Sequence, residues 1–365
     1  MSKNISNSAI IGIGHPLFDL IVSNVDEKFL QRYQLESDNV ILANDDDDDD
    51  NNLHHTLTDD LIKYFENIQY VPGGSVQNTI RVAQWFFDQP KICTIFGCIG
   101  NDDFGRQMKE KIENDDNVQS IYCIDNEKPT GKCICLINID SGGHHHRSLI
   151  TFWDACHKFR MEILQQNLSI LNTAKIIYTS GFFLVSNPEC VQLLAELCQK
   201  SFDIKFAFNL SGSYVVKNYS QRLLKIFPYI DLLFGNITET FAFAQTLDWI
   251  QNENTDKIDD IVEKMVHLES IKTNRIVIIT QGPGEIIVGS TRNSIQRFSV
   301  PSIPFNEIVD TNGSGDAFVG GFLAYYLIGR SINECIDAGI YAAQQVIRCC
   351  GCTLPKVNKL RLLSK

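Results

Sequence analysis

The feature that most constrains this chain is an alternation of short, near-continuous apolar runs with longer stretches of helical periodicity. "AIIGIG" at 9–14, "KICTIFGCIG" at 91–100, "AKIIYTSGFF" at 174–183, "DIKFAFNL" at 203–210, "YIDLLFGN" at 229–236 and "RIVIITQG" at 275–282 read as strands. Between them lie helical patterns such as "SVQNTIRVAQWFF", halted by Pro90, "DFGRQMKEKIE", "PECVQLLAELCQK", "TETFAFAQTLDWI" and "KIDDIVEKMVHL". Strands without polar alternation are buried on both faces, so this rhythm specifies an α/β fold: a mostly parallel central sheet between two helical layers.

Two regions break the rhythm, 17–70 and 119–155. There "LFDLIVSNV", "NVILAN", "SIYCID", "KCICLINI" and "RSLITFW" read as strands joined without helices, save one short helix near 57–67. The expected organisation is a large core domain of residues 1–16, 71–118 and 156–365, and a small β-sheet lid built from 17–70 and 119–155. The run Asp45 to Asp50 falls in the lid and reads as a solvated loop; His144 to His146 fall at a hairpin tip.

Composition narrows the function classes. With 365 residues, 44% of them hydrophobic, the chain can bury a large core. Its net charge of −12 lacks the basic face that nucleic acid requires, although six of the acidic residues sit in that one run. The twelve cysteines are scattered through apolar segments without zinc-finger spacing, which points to reduced thiols and a cytoplasmic or nuclear location. "AIIGIG" is soon interrupted by His15, Pro16 and Asp19, and no run reaches the roughly 18 apolar residues of a membrane span, so no membrane association is expected.

The chemistry concentrates in "DTNGSGDAFVGGFLAYYLIG" at 310–329. Phe318, Phe322, Leu323, Tyr326 and Leu327 recur at helical spacing on a segment that is apolar on nearly every face, Gly329 marks its stop, and Ser331 with Glu334 opens the next helix as a capping box. Gly313 and Gly315 suit a tight turn that brings backbone N–H groups to a ligand at a helix N-terminus. Asp316 would stand beside that anion site, either to accept a proton or simply to cap the helix. Known nucleotide templates fail elsewhere: "GIGHPL" has Leu17 where a dinucleotide fingerprint needs a small residue, and there is no P-loop and no protein-kinase motif set.

These motifs carry a resemblance. "DTNGSGDAFVGGFL" at 310–323 resembles a signature of the ribokinase-like carbohydrate kinases, and "GGSVQNTIRVAQW" at 73–85 resembles their other signature in its adenosine kinase form. "FGCIGNDDFG", "PTGKCICLI", "SGFFLVS", "LFGNITE", "VIITQG" and "GCTLP" follow in the same family's order, so the similarity runs over roughly residues 9 to 356. It implies a ribokinase-like three-layer sandwich and ATP-dependent phosphorylation of adenosine at its 5′-hydroxyl by a monomer, the alternatives being another nucleoside or a sugar as acceptor, or a non-catalytic protein that has kept the fold.

The same resemblance implies roles by position. Asp316 becomes the general base, with Gly313, Ser314 and Gly315 as the anion hole and Arg147 reaching the phosphates from the lid. Asp19, with Asn78, Gly73, Gly74 and Ser75, holds the ribose, while His15, Leu17, Leu42, Cys135 and Phe183 surround the base, the apolar ones being equally at home in a core. Thr280 and Gly282 lie near ATP, and Ala338, Ala342 and Ala343 leave room for its adenine ring. Asn236 and Glu239 hold Mg2+, partly through water, or else form a helix cap; Asp310, with backbone near Arg348 and Gly351, belongs to a site for a monovalent cation such as K+. The chain departs from the family at His15, where an asparagine is usual, at Val40, where a glutamine is common, at Lys132 and Ser314, and across "TFWDACHKF" at 151–159.

Overall fold

The computed structural model describes residues 5–35, 40–43, 56–139, 145–201, 203–251, 257–271 and 274–360. Within them a nine-stranded sheet runs in the order β14-β13-β12-β11-β10-β9-β1-β5-β6. Its strands are β1 (Ile10–Ile13), β5 (Cys93–Gly100), β6 (Gln119–Asp125), β9 (Ile176–Ser180), β10 (Lys205–Asn209), β11 (Leu232–Asn236), β12 (Ile276–Thr280), β13 (Ile286–Ser290) and β14 (Asn293–Phe298). From β6 to β12 every pair is parallel, each crossover containing a helix. The five residues between β12 and β13 are too few for a crossover, so the last pairs turn antiparallel.

Both faces of the sheet are covered. Helices 188–200, 237–246 and 258–267 bury one face, and helices 75–85, 314–327 and 332–347 bury the other. The all-round apolarity of 314–327 has a direct cause: it lies between 75–85 and 332–347. A Cβ on Gly320 would sit 2.6 Å from the Thr79 carbonyl oxygen, and one on Gly321 would sit 2.4 Å from that of Ala338, so only glycine permits the two close approaches. The helix ends before Gly329, whose φ is +75°, and Ser331 and Glu334 close the expected capping box.

A second sheet of five strands, in the order β3-β8-β7-β2-β4, contains β2 (Leu17–Ser23), β3 (Val40–Ala43), β4 (Gln69–Gly73), β7 (Lys132–Ile139) and β8 (His145–Phe152). Its separate core packs Leu20, Val22, Leu30, Leu57, Leu61, Ile134 and Ile150. Two helices serve it, Leu57–Tyr64 and a short one at Glu27–Arg32 whose N-terminus is capped by Asp26. Residues Asp45 to Asp50 lie outside the described part.

One segment differs from the sequence reading. Residues 119–125 pair with β5, from Thr94↔Gln119 to Gly100↔Asp125, and form the edge of the large sheet rather than part of the small one. The helical stretch "DFGRQMKEKIE" between β5 and β6 is long enough for a parallel crossover, which returns the chain to the same sheet. The small sheet resumes only at Lys132, and on its other side β4 carries it to Gly73.

Candidate active site

The carboxyl ends of β9, β10, β11 and β12 present Ser180, Asn209, Asn236 and Thr280 to one cavity of about 850 Å³, and His15 reaches it from the loop after β1. Ligands of open α/β sheets bind at this edge. The small sheet supplies the opposite wall through Leu17 and Asp19 of β2, Cys133 of β7, and Leu149 and Thr151 of β8.

Asp316 enters from the first turn of helix 314–327. Gly313, the residue before that turn, holds φ at +73°, and a Cβ there would also press on Cys352 at 3.1 Å. Gly315 opens onto the cavity with nothing near the place of a Cβ. First-turn N–H groups lack intrahelical acceptors, so this end of the helix offers donors and a positive dipole end to an anion. The Asp316 carboxylate is fixed by two donors from the neighbouring helix: Ser75 Oγ at 2.7 Å to Oδ1 and Asn78 Nδ2 at 3.1 Å to Oδ2. Burial pushes its pKa up to about 6, and those two bonds hold it from rising further. Asn78 Oδ1 is buried and accepts no hydrogen bond, an acceptor left for a ligand donor.

Asp19 sits across the cavity, 5% exposed, its carboxylate against Gly73; a Cβ at Gly73 would lie 2.1 Å from Oδ1. Burial raises Asp19 to about 8, opposed by the Arg81 guanidinium and reinforced by the charges of Asp316 and Asp310. Sequence reading passes over Arg81. Its guanidinium bonds Asp116 at 2.6 Å and the carbonyls of Pro72 at 2.7 Å and Cys352 at 3.0 Å, which fixes the glycine turn at 73–74 to the helix that follows it.

The raised Asp19 value has a stability consequence. A carboxyl whose folded pKa lies above its unfolded one binds more protons when folded, so the stability it lends at acid pH is lost as pH rises from about 4 to about 8. The Asp19→Asn protein, which does not titrate there, should therefore melt above wild type by a margin that widens from pH 5 to pH 8 and then levels off. A margin independent of pH would show that Asp19 is not held protonated.

Asn236 and Glu239 form a reciprocal cap on helix 237–246. Asn236 Oδ1 accepts from the Glu239 N–H at 2.9 Å, and the Glu239 carboxylate accepts from Asn236 N–H at 2.9 Å and Nδ2 at 2.8 Å. Both also line the cavity, and burial lifts Glu239 to about 7.

Of the other residues singled out from sequence, Gly74, Ser75, Thr280, Leu17 and His15 line the cavity. Several do not reach it. Cys135 packs with Ile21 and Ile137, and Phe183 is fully buried behind His15, its ring 5.3 Å away. Ala338 and Ala342 fill the contact with Gly321 between two helices, with Ala343 half-buried beside them. Gly282 takes the left-handed turn after β12 with φ +58°. Asp310 pins a turn by accepting from Asn312 N–H at 2.8 Å and Gly351 N–H at 3.0 Å. The side chains of Leu42 and Arg147 lie outside the described residues. Phe182, Trp153, Tyr214 and Asn312, which the sequence did not mark, complete the walls.

The model of the pfkB family of carbohydrate kinases matches residues 42–359. Adenosine kinase 1 of Arabidopsis thaliana is 35% identical over 361 residues, covering 98% of each chain. The adenosine kinase of Dictyostelium discoideum is 30% identical and covers 96% of this chain and 97% of its own. Among solved structures, Anopheles gambiae adenosine kinase in complex with P1,P4-di(adenosine-5) tetraphosphate superposes with a TM-score of 0.83 at 33% identity, covering 96% of this chain and 100% of the other. Adenosine kinase from Schistosoma mansoni in complex with 2-fluoroadenosine gives 0.84 at 26% identity, with 97% and 99% covered.

Proposed function

Because the chain belongs to the pfkB family of carbohydrate kinases, we propose that it transfers the γ-phosphate of ATP to the 5′-hydroxyl of adenosine, giving AMP and ADP. Near-full-length similarity to adenosine kinases supports this reading. The observation that carries it is one cavity that sets two aspartates in different settings: Asp316 at a glycine-rich helix start and Asp19 on the facing sheet.

Asp19 and the open Asn78 Oδ1 accept hydrogen bonds from the ribose diol, which orients the nucleoside with its 5′-carbon toward Asp316. Ser75 and Asn78 hold the Asp316 carboxylate still while leaving lone pairs on both oxygens. With a pKa near 6 it is mostly ionised at neutral pH yet basic enough to take the hydroxyl proton. As O5′ bonds the γ-phosphorus, the bond to the β-phosphate oxygen breaks and ADP leaves with the electron pair; the proton on Asp316 later passes to solvent. Charge on the moving phosphoryl oxygens is met by the N–H groups of Gly313 to Gly315.

Mg2+ fits the residues present. Each Glu239 oxygen accepts from Asn236 but keeps a second lone pair, and Glu239 lines the cavity, which suits a cation that retains several waters and asks for few protein oxygens. When bound it neutralises phosphate charge. Asp310 is the corresponding candidate for K+. No described helix is long and apolar enough to cross a membrane, and on this reading the protein acts as a monomer in the cytoplasm.

Glu239→Gln keeps the acceptor for the Asn236 N–H, gives up the bond from Asn236 Nδ2 and removes the charge, so the Mg2+ concentration for half-maximal rate should rise by about 10-fold or more while the fold is retained. An unchanged Mg2+ titration would reduce Glu239 to a helix cap. The function itself is tested by ADP release with ATP across adenosine, other nucleosides and free sugars. Adenosine should give the highest kcat/KM; preference for a sugar, or no ADP with any acceptor, would overturn the proposal.

A further inference from the structure

At the wall of the cavity lies a cluster that phosphoryl transfer does not use. His15, Cys156 and His157 each bring one donor atom within 4.8 Å of the others. Cys156 is fully buried, and the His15 ring stands 5.0 Å from that of His157.

The hydrogen bonds around His15 fix its tautomer. Asn187 Nδ2 donates to the Phe159 carbonyl at 3.2 Å, so its Oδ1 is the atom facing Ser186. The Ser186 hydroxyl has one proton and two carbonyl-type acceptors, Asn187 Oδ1 at 2.9 Å and Phe183 O at 3.4 Å. Its oxygen is left to accept at 2.7 Å from His15 Nε2–H. Nδ1 of His15 therefore carries a bare lone pair, and it is buried with no hydrogen-bond partner on a residue only 5% exposed. An outer hydrogen bond on one ring nitrogen with a free lone pair on the other is how metal-ligating histidines are held.

We propose that His15, Cys156 and His157 form a binding site for a zinc-class divalent ion at the inner wall of the cavity. Two imidazoles and a thiolate are the donors such ions prefer. Metal–nitrogen bonds of about 2.0 Å and metal–sulfur bonds of about 2.3 Å set ligand atoms roughly 3.3–3.8 Å apart, so the cluster must contract by about 1 Å, within reach of side-chain adjustment. The Cys156 thiol gives up its proton to solvent as the metal–sulfur bond forms. Three protein ligands leave the fourth position of a tetrahedral ion open, and His15 places the ion beside the cavity.

The test uses Co2+ as a coloured probe and does not depend on turnover. Chelator-treated full-length protein titrated with Co2+ should develop, at one equivalent, the visible bands of a tetrahedral ion and a near-ultraviolet thiolate-to-cobalt charge-transfer band, both bleached by Zn2+. Cys156→Ser should lose the charge-transfer band. His157→Ala and Ser186→Ala should each weaken Co2+ binding by at least about 10-fold. Absence of the band in wild type, or its survival in Cys156→Ser, would overturn the proposal by placing the ion on other thiols or on His144 to His146. If the buried Cys156→Ser change prevents folding, half-buried His157 decides: unchanged Co2+ affinity in His157→Ala refutes the site.

Discussion

Asp316→Asn should lower kcat on adenosine by roughly 10²–10⁴-fold, the usual worth of a general base, while Kd for ATP stays within about threefold. The substitution is close to isosteric, and its local bonds can be rebuilt. Ser75 Oγ still donates to the amide oxygen. The new amide nitrogen faces Asn78 Nδ2, but rotation of the Asn78 amide presents Oδ1, which has no partner in the wild type, as its acceptor. The fold should therefore survive, and removing a carboxylate whose pKa burial has raised to about 6 costs the folded state nothing electrostatically. A kcat reduced less than tenfold, in a protein that melts as wild type does, would end the base assignment.

The second large effect links Asp19 to the ribose. A hydrogen bond to the ionised Asp19 carboxylate contributes about 1.5–3 kcal/mol, so above its pKa of about 8, 2′-deoxyadenosine should be disfavoured in kcat/KM by roughly 10- to 150-fold. Asp19→Ala should compress that ratio toward one, because the mutant lacks the acceptor that tells the substrates apart. The ratio should also depend on pH. With Asp19 raised to about 8, its ionised form grows mainly between about pH 7 and pH 9, and wild-type discrimination should widen over that interval and level off above it. Equal discrimination by wild type and Asp19→Ala would remove Asp19 from the ribose site.

What sequence alone reveals follows the range over which each signal acts. The parallel sheet is legible because every strand buried on both faces must be apolar along its length, and the buried helix 314–327 declares itself in the same way. Asp316 stands out through its local company, two glycines and an apolar helix. Nothing in "LFDLIV" marks Asp19, whose meaning depends on Gly73 and Arg81 brought to it by β4 and helix 75–85. Cys133 and Cys135 share a face of β7, but two residues along a strand is about 7 Å, and only Cys133 reaches the cavity. Small residues mislead for a related reason: Ala338 and Ala342 allow close helix approach, a demand that looks the same in sequence as room for a ligand. The His15, Cys156 and His157 cluster joins segments more than 140 residues apart and leaves no periodic trace.

The central claim, phosphoryl transfer to one particular hydroxyl, is tested most directly by the phosphorus spectrum of the product formed from adenosine and ATP. Phosphate on O5′ is split into a triplet by the two protons of the 5′-carbon, whereas phosphate on O2′ or O3′ is split into a doublet by one. The account predicts a single new phosphomonoester triplet growing in proportion to ADP. A doublet, or ADP appearing without any new phosphomonoester, would contradict it.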